Sequence, residues 1–257
     1  MSRIDKIFEN RKAFIAFITS GDPSIEKTKE FVLEMEKAGA DLVELGIPFS
    51  DPIAEGPVIQ DANIRSLSAG TTTDKIFEMV KELRKETDMP LVFMCYLNTV
   101  FRYGYEEFCS RCEEVGIDGL IIPDMPFEEK GELLPITKEH NLELVSMIAP
   151  TSSERIRMIA SEASGFIYVV SSLGVTGVRS EITTDIRAII DEIKAVTTTP
   201  ACIGFGINKP SQVSEYTEYA DGAIVGSAII KIVAEHGENA GKYIYEYVKE
   251  MADAAHS

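Results

Sequence analysis

The sequence predicts an α/β fold, a closed (β/α)8 barrel with eight parallel strands, from its length and its alternating pattern. Its 257 residues are typical of such a barrel built as one domain, so we expect a single domain over residues 1–257. Short apolar runs, often β-branched, alternate with longer amphipathic segments, as in βαβ units around a parallel sheet that is buried on both faces. The competing fold is an open Rossmann-like sheet, but no G-x-G-x-x-G motif follows the first apolar run.

Eight apolar runs are short enough to be strands, and helix-like patterns lie between them and after the last. Eight such units predict a closed barrel. The predicted strands are Phe14–Thr19, Leu42–Leu45, Leu91–Cys95, Gly119–Ile122, Leu142–Ile148, Phe166–Val170, Ala201–Gly204 and Gly222–Val225.

Capping residues indicate where several of the intervening helices begin and end. Ser, Thr and Asp side chains accept hydrogen bonds from the free N–H groups of a first helical turn, and glycine adopts the left-handed conformation that often ends a helix. The predicted helices are Ile25–Ala38 after Asp22-Pro23-Ser24, Lys75–Lys85 after Thr73-Asp74, Arg155–Ala160 after Ser152-Ser153-Glu154, and Tyr105–Val115. The predicted terminating glycines are Gly39, Gly116 and Gly165.

Composition and charge exclude several classes of protein. Hydrophobic residues make up 45% of the chain and charged residues 26%, which are ordinary proportions for a folded globular protein. The formal net charge of −17 would repel nucleic acid and anionic membrane surfaces. Charged residues precede any apolar stretch, and no apolar run is long enough to cross a bilayer. We therefore expect a cytoplasmic protein with neither nucleic acid nor membrane as a partner.

The positions of cysteine, histidine and lysine argue against three kinds of chemistry. Cys95 and Cys202 fall in apolar strand runs, and Cys109-x-x-Cys112 lies inside a helical pattern with no second Cys or His pair nearby, so we predict no metal site. No lysine ends a strand run, which argues against a Schiff base. The histidines fall in helices, at helix ends or in the tail, which argues against a catalytic triad. They are His140, His236 and His256.

Glu44 is the strongest candidate for a catalytic residue. Strand alternation puts it on the face opposite Val43 and Leu45; if those two face the helices, Glu44 points into the barrel mouth, where active sites of this fold lie. A carboxylate there loses hydration, which raises its pKa toward the range useful in acid/base catalysis. The alternative is a structural ion pair, but no Lys or Arg occurs in the strand runs.

A long loop rich in proline and glycine follows the second strand, from Ile47 to Pro57. Its length and composition predict an ordered but movable lid. The loop carries two carboxylates. Asp51 precedes Pro52 and has either a turn-forming or a functional role, whereas Glu55 has no obvious role in a turn.

Glycine-rich loops follow the last three predicted strands. Each alone could be a tight turn, but together they predict a phosphate site, because glycines let backbone N–H groups approach an anion and a helix N-terminus adds its positive dipole. Such sites are common after the seventh and eighth strands of this fold, so we expect a phosphorylated substrate and carboxylate acid/base catalysis. The loops are residues 171–177, Gly204-Phe205-Gly206 and Gly226-Ser227.

The run from Leu42 to Pro57, with the sequence LVELGIPFSDPIAEGP, resembles a signature of the tryptophan synthase α subunit family. The resemblance extends over nearly the whole chain, and it implies a TIM barrel, in agreement with the strand count. Further matching motifs are Phe17–Pro23, Met94-Cys95-Tyr96 with Asn98, Pro123–Pro126, Gly174–Gly177, Gly204–Ile207 and Gly226–Ala228.

The resemblance implies an enzyme of tryptophan biosynthesis, a carbon–carbon lyase that cleaves indole-3-glycerol phosphate to indole and glyceraldehyde 3-phosphate by a retro-aldol reaction. Glu44 would be the acid/base carboxylate that moves protons between the glycerol hydroxyl and indole C3. Glu55 takes the position of the carboxylate that accepts a hydrogen bond from the indole N–H. Most family members have aspartate there, and glutamate keeps the charge on a side chain one methylene longer.

Binding residues and a partner are also implied by the resemblance. The family's α chain carries no cofactor and works in an αββα complex with a β subunit, which holds pyridoxal phosphate and receives indole through a tunnel. Asp51 and Asp124 match positions near that subunit. The implied substrate-binding residues are Phe17, Tyr96, Tyr168, Thr176, Gly177, Phe205, Gly206, Gly226 and Ser227.

Other functions stay open on the sequence alone. Another phosphate-binding barrel, such as a ribulose-phosphate epimerase or an indole-glycerol-phosphate synthase, would need histidines or lysines at strand ends, and these are absent. The chain could also be a free-standing indole-glycerol-phosphate lyase, or a catalytically weak barrel that acts as an allosteric partner of the β subunit. Glu55 is the feature that leaves room for the last of these.

Overall fold

The strands form one parallel sheet. The computed structural model describes residues 2–171 and 185–257. The strands in these two ranges are β1 (Ala13–Thr19), β2 (Leu42–Gly46), β3 (Leu91–Met94), β4 (Gly119–Ile121), β5 (Glu143–Leu144), β6 (Ser146–Ile148), β7 (Ile167–Val170), β8 (Ala201–Gly204) and β9 (Gly222–Val225). They pair in parallel in the order β5-β4-β3-β2-β1-β9-β8-β7-β6.

The strand order closes on itself because β5 and β6 are two halves of one extended segment. β5 pairs with β4, β6 pairs with β7, and Val145 between the halves donates its N–H to the Leu120 carbonyl at 2.9 Å. The predicted strand Leu142–Ile148 is therefore broken, so the described residues contain nine strands where the sequence predicted eight. The (β/α)8 barrel is confirmed, since the nine strands occupy eight positions around the ring.

Helices follow the strands and cover the outside of the sheet. In the described residues they are α1 (Arg3–Ile7), α2 (Ile25–Ala38), α3 (Pro57–Ser68), α4 (Thr73–Leu83), α5 (Leu97–Tyr103), α6 (Tyr105–Val115), α7 (Leu134–Glu139), α8 (Ser153–Ser161), α9 (Ile186–Lys194), α10 (Pro210–Thr217), α11 (Ser227–His236) and α12 (Gly241–His256). Short 3₁₀ helices lie at Phe127–Glu129 and Gly237–Asn239.

Two of the four predicted helices have the bounds seen in the structure, and the other two, α4 and α8, differ by one or two residues at each end. The predicted bounds of α2 and α6 are correct, and Gly39 and Gly116 end these helices with φ values of 106° and 83°. α4 begins two residues earlier than predicted because Thr72, rather than Thr73, accepts the capping hydrogen bond. The prediction for Gly165 was wrong: its φ is positive, but α8 already ends at Ser161, with Glu162 as its C-cap.

Alternation along the strands divides the core into two layers. In β2, Leu42 packs inside the barrel with Ile15 of β1, whereas Val43 and Leu45 pack outward in the cluster that contains the helices. Glu44 lies between Val43 and Leu45, so its side chain shares the inward face with Leu42. This register brings the carboxylate into the interior near the carboxyl end of the barrel.

Candidate active site

A cavity lies at the carboxyl ends of the strands. Eight residues that the sequence singled out line it together, although they come from five different segments of the chain. They are Phe17, Glu44, Glu55, Tyr168, Phe205, Gly206, Gly226 and Ser227.

Glu44 lies at the inner wall of this cavity and has no partner. Its side chain is 0% exposed, and neither carboxylate oxygen has a hydrogen-bond partner among the described residues. Phe17 is its neighbour on β1, and Tyr168 lines the same wall. Burial raises the pKa of Glu44 to about 8, because the charged form loses its hydration and nothing replaces it. At neutral pH Glu44 is therefore mainly protonated and can donate a proton into the cavity.

Glu55 lines the same cavity from the loop that joins β2 to α3. Burial raises its pKa to about 7, while a hydrogen bond from the Asn63 side chain lowers it. The Asn63 Nδ2 donates to Glu55 Oε2 at 2.6 Å. Because a hydrogen bond to a carboxylate favours the ionised form, Glu55 ionises more readily than Glu44. The cavity thus holds one carboxyl group suited to donate a proton and one suited to accept a hydrogen bond.

Two hydrogen bonds hold the main chain next to Glu55, one with Tyr96 after β3 and one with Gln60 of α3. The Ala54 N–H donates to the Tyr96 hydroxyl at 3.0 Å, and the Gln60 Nε2 donates to the Glu55 carbonyl at 2.7 Å. The Tyr96 ring also packs against Phe49, with ring centroids 5.2 Å apart. Tyr96 supports the loop and is not among the described residues that line the cavity, so its predicted contact with substrate stays a prediction.

The glycine-rich segments after β8 and β9 also line the cavity. Phe205 and Gly206 both have left-handed backbones, with φ values of 76° and 78°, and α11 begins at Ser227 directly after Gly226. The first N–H groups of a helix have no partner within it and carry its positive dipole end, so this rim suits an anion. A side chain at position 226 would place its Cβ 3.2 Å from the Phe17 ring, so glycine keeps the rim open.

Of the other predicted residues, two fall outside the described part of the chain and two lie outside the cavity. Thr176 and Gly177 fall outside the described residues. Asp51 is exposed and accepts a hydrogen bond from Ser50, whereas Asp124 is partly buried and its Oδ1 accepts from the Leu97 N–H at 2.8 Å, at the start of α5. Both aspartates follow strand ends, so they lie on the same end of the barrel as the cavity.

Some cavity residues were not identified from the sequence. Met94, Met147 and Ile224 supply apolar wall, and single apolar residues in strands carry no signal that separates them from ordinary core. Asn63 was also missed. It lies on the buried face of α3 with Ile59, and a polar residue at a position with apolar periodicity was the signal that could have identified it.

The described ranges contain neither a metal site nor a membrane-spanning helix. No group of three or more His, Cys, Asp or Glu residues there has the arrangement of a metal site. Cys109 and Cys112 are buried free thiols in α6. No helix in the described part of the chain is long and apolar enough to cross a membrane.

Comparisons with known proteins agree on one family. A family model described as "Tryptophan synthase alpha chain" matches residues 5–256. The tryptophan synthase alpha chain of Lacticaseibacillus casei is 47% identical over 251 residues, which cover 98% of this chain and 94% of that protein. The crystal structure of the alpha chain from Legionella pneumophila has a TM-score of 0.89 at 35% identity and covers 99% of this chain and 97% of its own.

A structure from Pyrococcus furiosus extends the likeness to an assembled enzyme. It is described as the tryptophan synthase a2b2 complex, and its matching chain is 33% identical, with a TM-score of 0.86 over 95% of this chain and 99% of that one. The family model covers nearly the whole sequence, and the fold and the cavity agree with the resemblance first seen in the residues around Glu44. The chain belongs to the tryptophan synthase alpha chain family.

Proposed function

We propose that this chain cleaves indole-3-glycerol phosphate into indole and glyceraldehyde 3-phosphate. Membership of the family makes it a lyase of tryptophan biosynthesis. The observation that carries the specific reaction is the Glu44 carboxyl, which is fully buried in a cavity with aromatic walls and has no hydrogen-bond partner among the described residues; burial raises its pKa. Such a group is costly to bury and is poised to exchange protons with an aromatic ligand.

The cavity has complementary parts for the two ends of this substrate. Phe17, Tyr168 and Phe205 offer apolar and aromatic surface to an indole ring. The start of α11 at Ser227 and the left-handed turn at Gly206 offer backbone N–H groups to the phosphate, despite the net negative charge of the chain. We assign Thr176 and Gly177 to the same phosphate end, on the resemblance alone.

The chemistry requires two proton movements and one broken carbon–carbon bond. Glu44 gives its proton to indole C3, which makes the ring a cation, and then removes the proton of the hydroxyl on the adjacent carbon. That oxygen forms the aldehyde as the bond to C3 breaks, and the bonding electrons restore the neutral indole. Glu44 ends protonated, as it began. The Glu55 carboxylate accepts a hydrogen bond from the indole N–H and stabilises the positive charge of the intermediate.

We also propose that the chain, as one domain, acts with a pyridoxal phosphate β subunit. The family supports this assignment, and the a2b2 assembly of the Pyrococcus furiosus protein shows such a complex for a similar chain. Asp51 and Asp124, at the cavity end of the barrel, are the proposed partner contacts, and no cofactor is assigned to the α chain. The second candidate is a catalytically weak barrel that acts as an allosteric partner of the β subunit. A chain that releases no indole from indole-3-glycerol phosphate would favour this second candidate over the lyase.

The proposed reaction is tested by Glu44→Gln. We expect indole release to fall by about a thousandfold or more, because the amide keeps size and polarity but cannot move protons. Binding of indole-3-glycerol phosphate, measured by calorimetry, should stay within a few-fold of wild type. Glu26→Gln, at an exposed position of α2, is the matched control and should leave cleavage unchanged. A Glu44→Gln chain with nearly full activity would overturn the proposal.

A further inference from the structure

Asn63 is a buried amide on α3 that touches the side chain of Glu55. It is 4% exposed, and its Nδ2 lies 2.6 Å from Glu55 Oε2. We propose that Asn63 is a positioning residue, which orients the Glu55 carboxylate toward the indole N–H and holds it in the ionised form. This inference rests on the proposed function of the cavity and deepens it.

The main chain at Glu55 is held by hydrogen bonds, so the contact with Asn63 sets the orientation of the Glu55 side chain. The backbone is held before Glu55 by the bond from the Ala54 N–H to Tyr96, and at Glu55 itself by the bond from Gln60 to its carbonyl. With the main chain held, only side-chain rotation remains. The Asn63 amide binds one carboxylate oxygen, which leaves the other for a ligand in the cavity.

A neutral amide is better suited than a cationic side chain to orient the Glu55 carboxylate and keep it ionised. Lysine or arginine would form an ion pair with Glu55, which would neutralise the charge that must face a cationic indole ring. An amide donor stabilises the carboxylate and leaves its negative charge in place. Among the described residues, no other side chain accounts for a lowering of the Glu55 pKa.

The same contact separates the roles of the two carboxyl groups. Both are desolvated, but among the described residues Glu44 has no hydrogen-bond donor, whereas Glu55 has Asn63. Burial raises the pKa of Glu44 to about 8 and that of Glu55 to about 7, where the Asn63 bond opposes the rise. Paired groups whose environments separate their pKa values are suited to opposite roles in one reaction.

The inference is tested by the pH profile of kcat/KM for Asn63→Ala and Asn63→Asp. The rising limb reports ionisation of Glu55, and the falling limb reports loss of the Glu44 proton. Without the amide, the rising limb should move up by about one pH unit, so that kcat/KM at pH 7 falls by about fivefold. Asn63→Asp, nearly equal in size, adds a like charge and should move that limb further. The falling limb should not move in either variant.

The matched control is Ser66→Ala, one turn further along the buried face of α3. It removes a buried hydrogen bond, from Ser66 Oγ to the Ser20 carbonyl at 2.6 Å, but does not touch Glu55. Its rising limb should coincide with that of the wild type. If Asn63 were only structural, both Asn63 variants would lower activity equally at every pH, and this result would overturn the inference.

A second measurement separates this inference from the proposed function. The carboxyl carbon of Glu55 can be titrated by NMR in substrate-free protein, where Asn63→Ala should raise its pKa. An unchanged Glu55 titration overturns the inference even if the wild type cleaves its substrate. A wild-type chain that does not cleave, but shows the shifted titration, instead overturns the proposed reaction and supports the effect of Asn63.

Discussion

Two glutamates in one cavity differ in chemistry because their immediate neighbours differ. Glu44 comes from a strand, and neither of its carboxylate oxygens has a hydrogen-bond partner among the described residues. Glu55 comes from a loop that leads into α3, and the second turn of that helix brings the Asn63 amide to it. The type of residue is the same at both positions, so its surroundings decide which proton state is favoured.

The buried Glu44 predicts that stability falls as pH rises. The folded chain keeps this proton up to about pH 8, whereas the unfolded chain releases it near 4.5. Between these values the folded state binds more protons, so the free energy of unfolding decreases with rising pH and the loss is complete above pH 8. Glu44→Gln should therefore be more stable than wild type at pH 9, by an amount on the order of a few kcal/mol, and nearly equal to it at pH 4.

Urea unfolding of both proteins at these two pH values measures the difference. The same stability difference at pH 4 and pH 9 would show that Glu44 is not protonated in the folded chain.

The length of Glu55 predicts an order of activity for two variants. Glu55→Asp keeps the charge but shortens the side chain by about 1.5 Å, one carbon–carbon bond. Glu55→Gln keeps the length but removes the charge that stabilises the indole cation. We expect the aspartate variant to be impaired and the glutamine variant to be worse, in indole release at saturating substrate. Equal or higher activity of the glutamine variant would contradict the role of the carboxylate.

At the scale of elements, the cavity depends on close contacts between neighbouring strands. β7 and β8 pair over four residues, with Tyr168 opposite Cys202. The Tyr168 ring reaches toward the end of β8, where a Cβ at Gly204 would lie 2.5 Å from its hydroxyl. Because Tyr168 is buried and lines the cavity, a larger residue on β8 would displace cavity wall as well as core.

Gly204→Ala is predicted to lower both stability and substrate binding. The added methyl group overlaps the buried Tyr168 ring, and overpacking of this kind costs about 1–3 kcal/mol. The displaced ring should also raise KM for indole-3-glycerol phosphate. Gly131→Ala is the matched control, since no atom lies within 4 Å of its added Cβ. Thermal unfolding and steady-state kinetics check both variants, and a Gly204→Ala protein that matches the control would contradict the contact.

At the scale of the whole molecule, the cavity and the proposed partner contacts lie at the same end of the barrel. The cavity and the proposed partner contacts lie at the carboxyl ends of the strands, where Phe101 of α5 is 67% exposed. Val196, 40% exposed, precedes β8 and lies at the other end. Aromatic side chains are enriched in protein interfaces, so Phe101 is a candidate contact for the partner subunit.

A pyridoxal phosphate β subunit is predicted to bind this chain and to raise its rate of cleavage, because a partner over the cavity end excludes water from the site. For Phe101→Asp, the β subunit concentration that gives half of the maximal activation should rise by at least tenfold. The isolated variant should keep its basal rate of cleavage. Val196→Asp should activate as the wild type does. Absence of a complex at micromolar concentrations would instead favour a free-standing lyase.

The fold and much of the cavity were predictable from the sequence, for a physical reason. Strand alternation is a local property, so the inward direction of Glu44 could be derived from Val43 and Leu45 and is observed. The left-handed residues at Gly39 and Gly116 are also local, because a helix end depends on its own few residues.

The tertiary structure decided the properties that depend on contacts between distant segments of the chain. The break at Val145 separates the half that pairs with β4 from the half that pairs with β7, and no glycine or proline marks it in the sequence. The support that Tyr96 gives to the loop and the hydrogen bond from Asn63 to Glu55 likewise join separate elements. Periodicity shows which face of a strand or helix is buried, but packing alone selects the partner, and the partner determines whether a buried carboxyl group keeps its proton.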